Sequence, residues 1–145
     1  MLQGSQMERC IFCEIAAGRL PATKVYEDEF VVAFFDRAPV AEYHTLVIPK
    51  QHATDIFDVN DDNVRALASA IRTICRTYRS ALGIDNLQIV CSNGADAQQD
   101  VFHLHFHIVP RTRLDGQDIL WKPDHSIAER FGELLSRLEK AQETR

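Results

Sequence analysis

The chain has 145 residues, 46% of them hydrophobic and 26% charged, the balance of one soluble globular domain. A chain of this size buries about 68–70% of its unfolded surface, and its net charge of −5 argues against a nucleic-acid-binding face, which is basic. No apolar run reaches the ~18 residues of a membrane span, and Met1–Gln6 shows no basic segment followed by an apolar one, so no membrane association and no signal peptide are expected, and the cytoplasm is the expected compartment.

In chain order, residues 1–7 read as a lead-in. Residues 8–18 read as a short helix closed by Gly18 and followed by Pro21. Lys24–Glu27 and Phe30–Asp36 read as two strands joined at Asp28-Glu29. Pro39 breaks the pattern, and His44–Pro49 is a third strand rich in β-branched residues. Asn60 caps a long helix with Asp61 and Asp62 in its first turn. Val64, Leu67, Ala68, Ile71, Ile74, Cys75, Tyr78 and Leu82 give it an apolar stripe, and Gly83 ends it. Leu87–Cys91 is a fourth strand.

The fifth strand is expected over residues 101–108. There His103, His105 and His107 alternate with Phe102, Leu104, Phe106 and Ile108, placing the imidazoles on one face and the apolar residues on the other. Residues 112–145 form a C-terminal extension, with Ser126 and Glu129 spaced as a capping box and Ile127, Phe131, Leu134, Leu135 and Leu138 on one helical face. The whole is one α+β domain over residues 1–145 with a mainly antiparallel five-stranded sheet and two main helices. The helix between the third and fourth strands is also compatible with a parallel crossover.

Half of the six histidines fall within five positions. Neutral imidazole is a nucleophile near pH 7, and a histidine attacking phosphorus splits one displacement into two easier ones. A neighbouring cationic imidazole can neutralise phosphoryl oxygens in the transition state. Three ligands in a row on one strand are too collinear to surround one ion, so a divided role is expected. Of the four cysteines, Cys10 and Cys13 have a common zinc spacing, whereas Cys75 and Cys91 sit in apolar patterns. No second Cys-x-x-Cys exists, so the other two ligands of a zinc would be histidines: His52 is one candidate and an end of the histidine row another.

The chain resembles the histidine triad family of nucleotide-binding proteins, in its zinc-carrying bacterial form. The resemblance lies in Cys-Ile-Phe-Cys-Glu-Ile at 10–15, Leu-Pro-Ala at 20–22, Val-Tyr-Glu-Asp at 25–28 and Ala-Phe-Phe-Asp at 33–36. It continues in His-Thr-Leu-Val-Ile-Pro-Lys at 44–50, His52, Asn-Gly at 93–94, Gln99 and the histidine row. It implies a homodimeric nucleotide hydrolase or nucleotidyl transferase acting on purine nucleotide derivatives such as phosphoramidates, adenylates or dinucleoside polyphosphates. In that reading His105 attacks the α-phosphorus, His107 contacts the phosphate and His44 supports the row. Asp36 binds the ribose, Phe12 and Phe35 form the base pocket, and Ser92, Gln99 and Asp100 stand near the phosphate. Cys10, Cys13, His52 and His103 are the zinc set, and the long helix helps build the dimer surface. Asp36 as the cap of the turn before Pro39, and Phe12 and Phe35 as core aromatics, are the plainer alternatives.

Three positions depart from the family pattern. Asp100 replaces a hydroxyl residue that donates near the leaving group, which an ionised carboxylate cannot do. Ser92 stands where Asn or Gln is common, and Gln98 where Gly is usual. Asp100 also motivates an alternative function, a non-catalytic nucleotide-binding or adaptor protein. A zinc-dependent hydrolase is disfavoured, because four protein ligands leave no position for water.

Overall fold

A computed structural model describes residues 9–145 of the chain, so the expected lead-in lies outside the described residues. Two compact units separate at Asp115 and Gly116. The first unit contains α1 (Ile11–Ala16), β1 (Lys24–Glu27), β2 (Val31–Phe35), β3 (Thr45–Pro49), α2 (Asp61–Leu82), β4 (Leu87–Val90) and β5 (Phe106–Pro110). The first helix is shorter than expected, since Cys10 is extended and Ala17 closes the helical turns.

The sheet order is β1-β2-β3-β5-β4 and every neighbouring pair is antiparallel. β3 and β4, linked through α2, therefore run parallel to each other with β5 inserted between them. This is the crossover in another form: the last strand occupies the gap that α2 spans.

Local chemistry explains the connections. Asp28 Oδ1 accepts from the backbone N–H groups of Phe30 and Val31, both at 2.8 Å, and so closes the β1–β2 turn. Asn60 Oδ1 accepts from Asn63 N–H at 2.8 Å, capping α2. Gly83, at φ 69°, donates its N–H to Arg79 O, and Ile84 N–H reaches Tyr78 O, a left-handed helix stop.

The sheet has a packed layer on each face. Val31, Ala33, Val47, Leu104 and Ile108 meet Leu67, Ile71, Ile74 and Tyr78 of α2. Val32, Phe34, Leu46 and Ile48 face the other way, onto Phe12 of α1. Successive residues of β2 and β3 thus feed opposite layers, as a pleated strand requires.

The histidine row departs from the expected strand. β5 begins only at Phe106, and Phe102 is 51% exposed rather than in the core. The cause is the partner strand. β3 pairs with β5 only from Thr45 to Val47. Beyond that, the carbonyl of Pro49 accepts from the ring Nε2–H of His103 at 2.8 Å, and Leu104 N–H donates to Ala53 O at 2.7 Å. The chain leaves the ladder at the histidines, yet Leu104 still packs on the α2 side, while His103 and His105 pack edge-on to Phe12 on the α1 side.

The second unit, Gly116–Arg145, holds a 3₁₀ turn at His125–Arg130 and α3 (Phe131–Glu143). Ser126 and Glu129 form no capping box. Asp124 Oδ1 instead accepts from both the N–H and Oγ of Ser126, which starts the 3₁₀ turn and delays the α-helix to Phe131. Ile127, Phe131, Leu135 and Leu138 are exposed, and Leu134 is half-buried. No described helix is long and apolar enough to cross a membrane.

Candidate active site and metal cluster

Four donors predicted as a set converge where α1, the segment after β3 and the start of the histidine row meet. Cys10 Sγ lies 3.4 Å from His103 Nδ1, Cys13 Sγ 3.3 Å from His52 Nδ1 and 3.5 Å from His103 Nδ1, and the two Nδ1 atoms are 3.1 Å apart. All four ligand atoms lie within 4.8 Å of one another. Zinc–nitrogen bonds of ~2.0–2.1 Å and zinc–sulfur bonds of ~2.3 Å at tetrahedral angles separate neighbouring ligands by about 3.4–3.8 Å. The cluster therefore has the dimensions of a tetrahedral Cys₂His₂ ion site, drawn slightly inward.

His103 supplies independent support for that fit. Its Nε2–H is committed to Pro49 O, so the lone pair is on Nδ1, which faces the two thiols and His52. Burial holds the His103 ring at a pKa of about 4, so it is a neutral ligand. Burial, and then the neighbouring Cys10 thiol, push Cys13 up to about 11, so a cation is what would draw the thiolate out.

The remaining histidines form a second, linked arrangement. His105 Nδ1–H donates to the carbonyl of His103 at 2.7 Å, which leaves its lone pair on Nε2. His44 Nδ1 accepts from Val40 N–H at 3.1 Å, so its proton is on Nε2, which donates to His107 Nδ1 at 2.9 Å. His107 then carries its own proton on Nε2. Backbone hydrogen bonds at Val40 and His103 thus set the tautomers of all three rings. Burial lowers the pKa of His44, against the raising effect of Asp36. Burial, followed by the neighbouring His105 and His44, lowers that of His107. Both rings are neutral at pH 7.

Asp36 does two things. Its Oδ1 accepts from Ala38 N–H at 2.8 Å, the turn-capping alternative, while its Oδ2 lies 3.4 Å from His44 Nε2 and 3.8 Å from His107 Nδ1. Asp100 Oδ1 lies 3.5 Å from His105 Nε2.

A cleft of about 690 Å³ opens beside these rings, a volume within the ~300–1,000 Å³ of small-molecule sites. His105, His107, Asp36, Asp100, Phe12 and Phe35 line it. His105 is only 3% exposed, so it presents one edge to the cleft while its body is packed. Phe12 is 5% exposed, and its ring centroid stands 5.2 Å from that of His105 and 5.9 Å from that of His103. It therefore buttresses both histidines as well as facing the cleft.

Ser92 and Gln99 are not in the lining. The Gln99 amide is engaged on both sides: Oε1 accepts from Gly94 N–H at 2.8 Å, and Nε2 donates to Thr54 O at 2.7 Å and Val101 O at 3.1 Å. It shapes the loop that carries Asp100. Arg37, Thr23 and Val101 line the cleft and were not singled out from the sequence. Arg37 directly follows Asp36 in the turn before Pro39, which was the only available signal.

A family model described as "HIT domain" matches residues 17–114. The protein called "Protein hit" of Bacillus subtilis is 43% identical over 79% of this chain and 80% of its own. An adenosine 5'-monophosphoramidase of Schizosaccharomyces pombe is 36% identical over 82% of this chain and 86% of its own. Among solved structures, a HIT family protein from Bacillus anthracis superposes with a TM-score of 0.84 at 34% identity, covering 92% of this chain and 97% of that one. A zinc-bound histidine triad family protein from Mycobacterium smegmatis superposes with a TM-score of 0.71 at 36% identity, covering 91% and 96%. The chain belongs to the HIT family, and its five-stranded antiparallel sheet is that family's fold.

Proposed function

We propose that this protein hydrolyses purine nucleotide derivatives at the α-phosphate, or transfers the nucleotidyl group, through a covalent nucleotidyl-histidine on His105. The observation that carries this reading is the hydrogen bond from His105 Nδ1–H to the carbonyl of His103, which leaves the Nε2 lone pair free at the edge of the cleft. The relative named as an adenosine monophosphoramidase favours a nucleoside phosphoramidate as substrate.

In the first step the Nε2 lone pair bonds to phosphorus as the bond to the leaving group breaks. For a phosphoramidate, the departing nitrogen keeps that electron pair and takes a proton from solvent. In the second step water bonds to phosphorus, loses a proton, and the electron pair returns to His105. His107 Nε2–H is the donor available to a phosphoryl oxygen, and His44 holds that tautomer through His107 Nδ1. Asp36 Oδ2 is the acceptor for a ribose hydroxyl, since Oδ1 is spent on the turn. The apolar side of the cleft, with Phe12, Phe34 and Phe35, takes the base.

Cys10, Cys13, His52 and His103 hold a structural zinc in this reading. Bound there, the ion supplies a cross-link between α1, the segment after β3 and the histidine row; four protein donors leave it no open position. A homodimer built with α2 and a cytoplasmic location complete the proposal.

The test is His105→Ala assayed with adenosine phosphoramidate. A loss of turnover of at least about 10³-fold is expected for a removed nucleophile; unchanged turnover refutes the assignment. His125, exposed in the second unit, serves as the control histidine.

A further inference from the structure

We propose that Asp100 sets the leaving-group specificity of this site, favouring substrates whose departing group carries a cationic amine over those whose departing group is anionic. The inference rests on the α-phosphate chemistry proposed above.

The geometry is specific to this residue. Asp100 Oδ1 stands 3.5 Å from His105 Nε2, and the same oxygen accepts from Val101 N–H at 2.9 Å. That backbone bond ties the carboxylate to the nucleophile's side of the cleft mouth. The side chain is 81% exposed, so it faces the route between the reacting phosphorus and solvent. The other acid of the lining, Asp36, turns its two oxygens to Ala38 N–H and to the His44–His107 pair. The lining's one arginine, Arg37, adjoins Asp36 in sequence. Asp100 is therefore the acid that reaches the reacting atom.

Distances bound the effect. A phosphorus poised for attack sits roughly 3–3.5 Å from Nε2, which puts it at most about 7 Å from Asp100 Oδ1. The nucleotidyl oxygens and their repulsion are common to every substrate, so they cancel in a ratio of kcat/KM values. The charge on the departing group does not cancel. That charge lies beyond the phosphorus at the far end of the departing chain, roughly 10 Å from the carboxylate; between effective dielectric constants of about 20 and 80, one unit charge there changes the rate by about 2- to 15-fold. Exposure places the outcome toward the lower end. Neutral amines lie between the two charged classes.

The experiment uses three adenosine 5'-phosphoramidates with the same P–N bond and the same chain length, made from 1,4-diaminobutane, butylamine and 4-aminobutanoate. Their departing groups differ chiefly in the charge at the distal end, and the comparison with the Asp100 variants cancels the intrinsic differences in amine basicity. The wild-type protein is expected to rank them cation over neutral over anion, with about fourfold or more between the extremes. Asp100→Asn keeps the acceptor for Val101 N–H and removes the charge, so the spread shrinks to within about twofold. Asp100→Lys reverses the order. A flat wild-type ranking, or the same spread in Asp100→Asn, overturns the inference while leaving the nucleophile assignment standing. If the wild-type protein binds adenosine monophosphate but turns over none of the three, the reading of the site as a hydrolase fails, and the specificity inference fails with it.

Discussion

Replacing Phe12 with Ala separates two roles for one ring. As a base-stacking residue, Phe12 would affect nucleotide affinity and little else. The structure places it 5% exposed, edge-on to Phe34 at 5.6 Å and to His103 and His105 at 5.9 and 5.2 Å. Deleting a buried Phe side chain costs about 3–5 kcal/mol, of which each lost aromatic pair contributes roughly 0.5–1.5 kcal/mol. At about 3–4 °C per kcal/mol for a chain of this length, Tm falls by about 10–20 °C. Phe12→Leu keeps most of the apolar volume and loses the ring edges, so about 1–1.5 kcal/mol is expected. Calorimetry on both variants, with adenosine monophosphate titrated into each, reads the two effects separately. A Phe12→Ala loss below about 1 kcal/mol together with strongly weakened nucleotide binding would refute the buttressing argument.

Four further outcomes are expected. Removal of metal by a chelator should lower Tm and leave the turnover of the remaining folded protein intact; loss of turnover with Tm unchanged contradicts a structural site at Cys10, Cys13, His52 and His103. His44→Ala removes one hydrogen bond to His107, worth about 1–3 kcal/mol in a buried pair, so kcat should drop about 5- to 150-fold at nearly constant KM. Burial holds His44 and His107 below the ordinary histidine range, so the unfolded chain binds protons at these positions first as pH falls. Stability is then flat above about pH 7 and declines as pH drops from about 6.5 through the lowered folded-state values. Denaturant titrations between pH 8 and pH 5 check this, and a rise toward acid contradicts it. Gln98 sits at φ 70°, where a side chain costs about 1–2 kcal/mol. Gln98→Gly should therefore stabilise by roughly 0.5 kcal/mol after its greater unfolded-state entropy is counted; a loss above about 1 kcal/mol, measured by urea unfolding, sinks that account.

Much of this molecule is legible in its sequence, and the exceptions have identifiable causes. The α2 boundaries follow from Asn60 and Gly83, whose capping bonds are local. The Cys-x-x-Cys pair and His52 could be nominated as ligands by spacing and residue type, but their convergence depends on how α1 meets the segment after β3. Alternation across residues 101–108 located the correct faces for His103 and Leu104. It could not show that His103 would give its Nε2–H to Pro49 O and pull the chain out of the ladder. The Ser126 capping box failed because Asp124, two residues earlier, is the better-placed acceptor. The resemblance marked Gln98 as a departure from glycine, and the positive φ gives the physical reason a glycine suits that position.

The proposed reaction passes through a covalent bond between His105 and phosphorus. Rapid quenching of the protein with a phosphoramidate substrate, followed by peptide mass spectrometry, tests it directly. A nucleoside monophosphate adduct on the peptide containing His105, formed and consumed at rates that support steady-state turnover, is the predicted result. Full turnover with no adduct at any quench time, and the same turnover in His105→Ala, would contradict it.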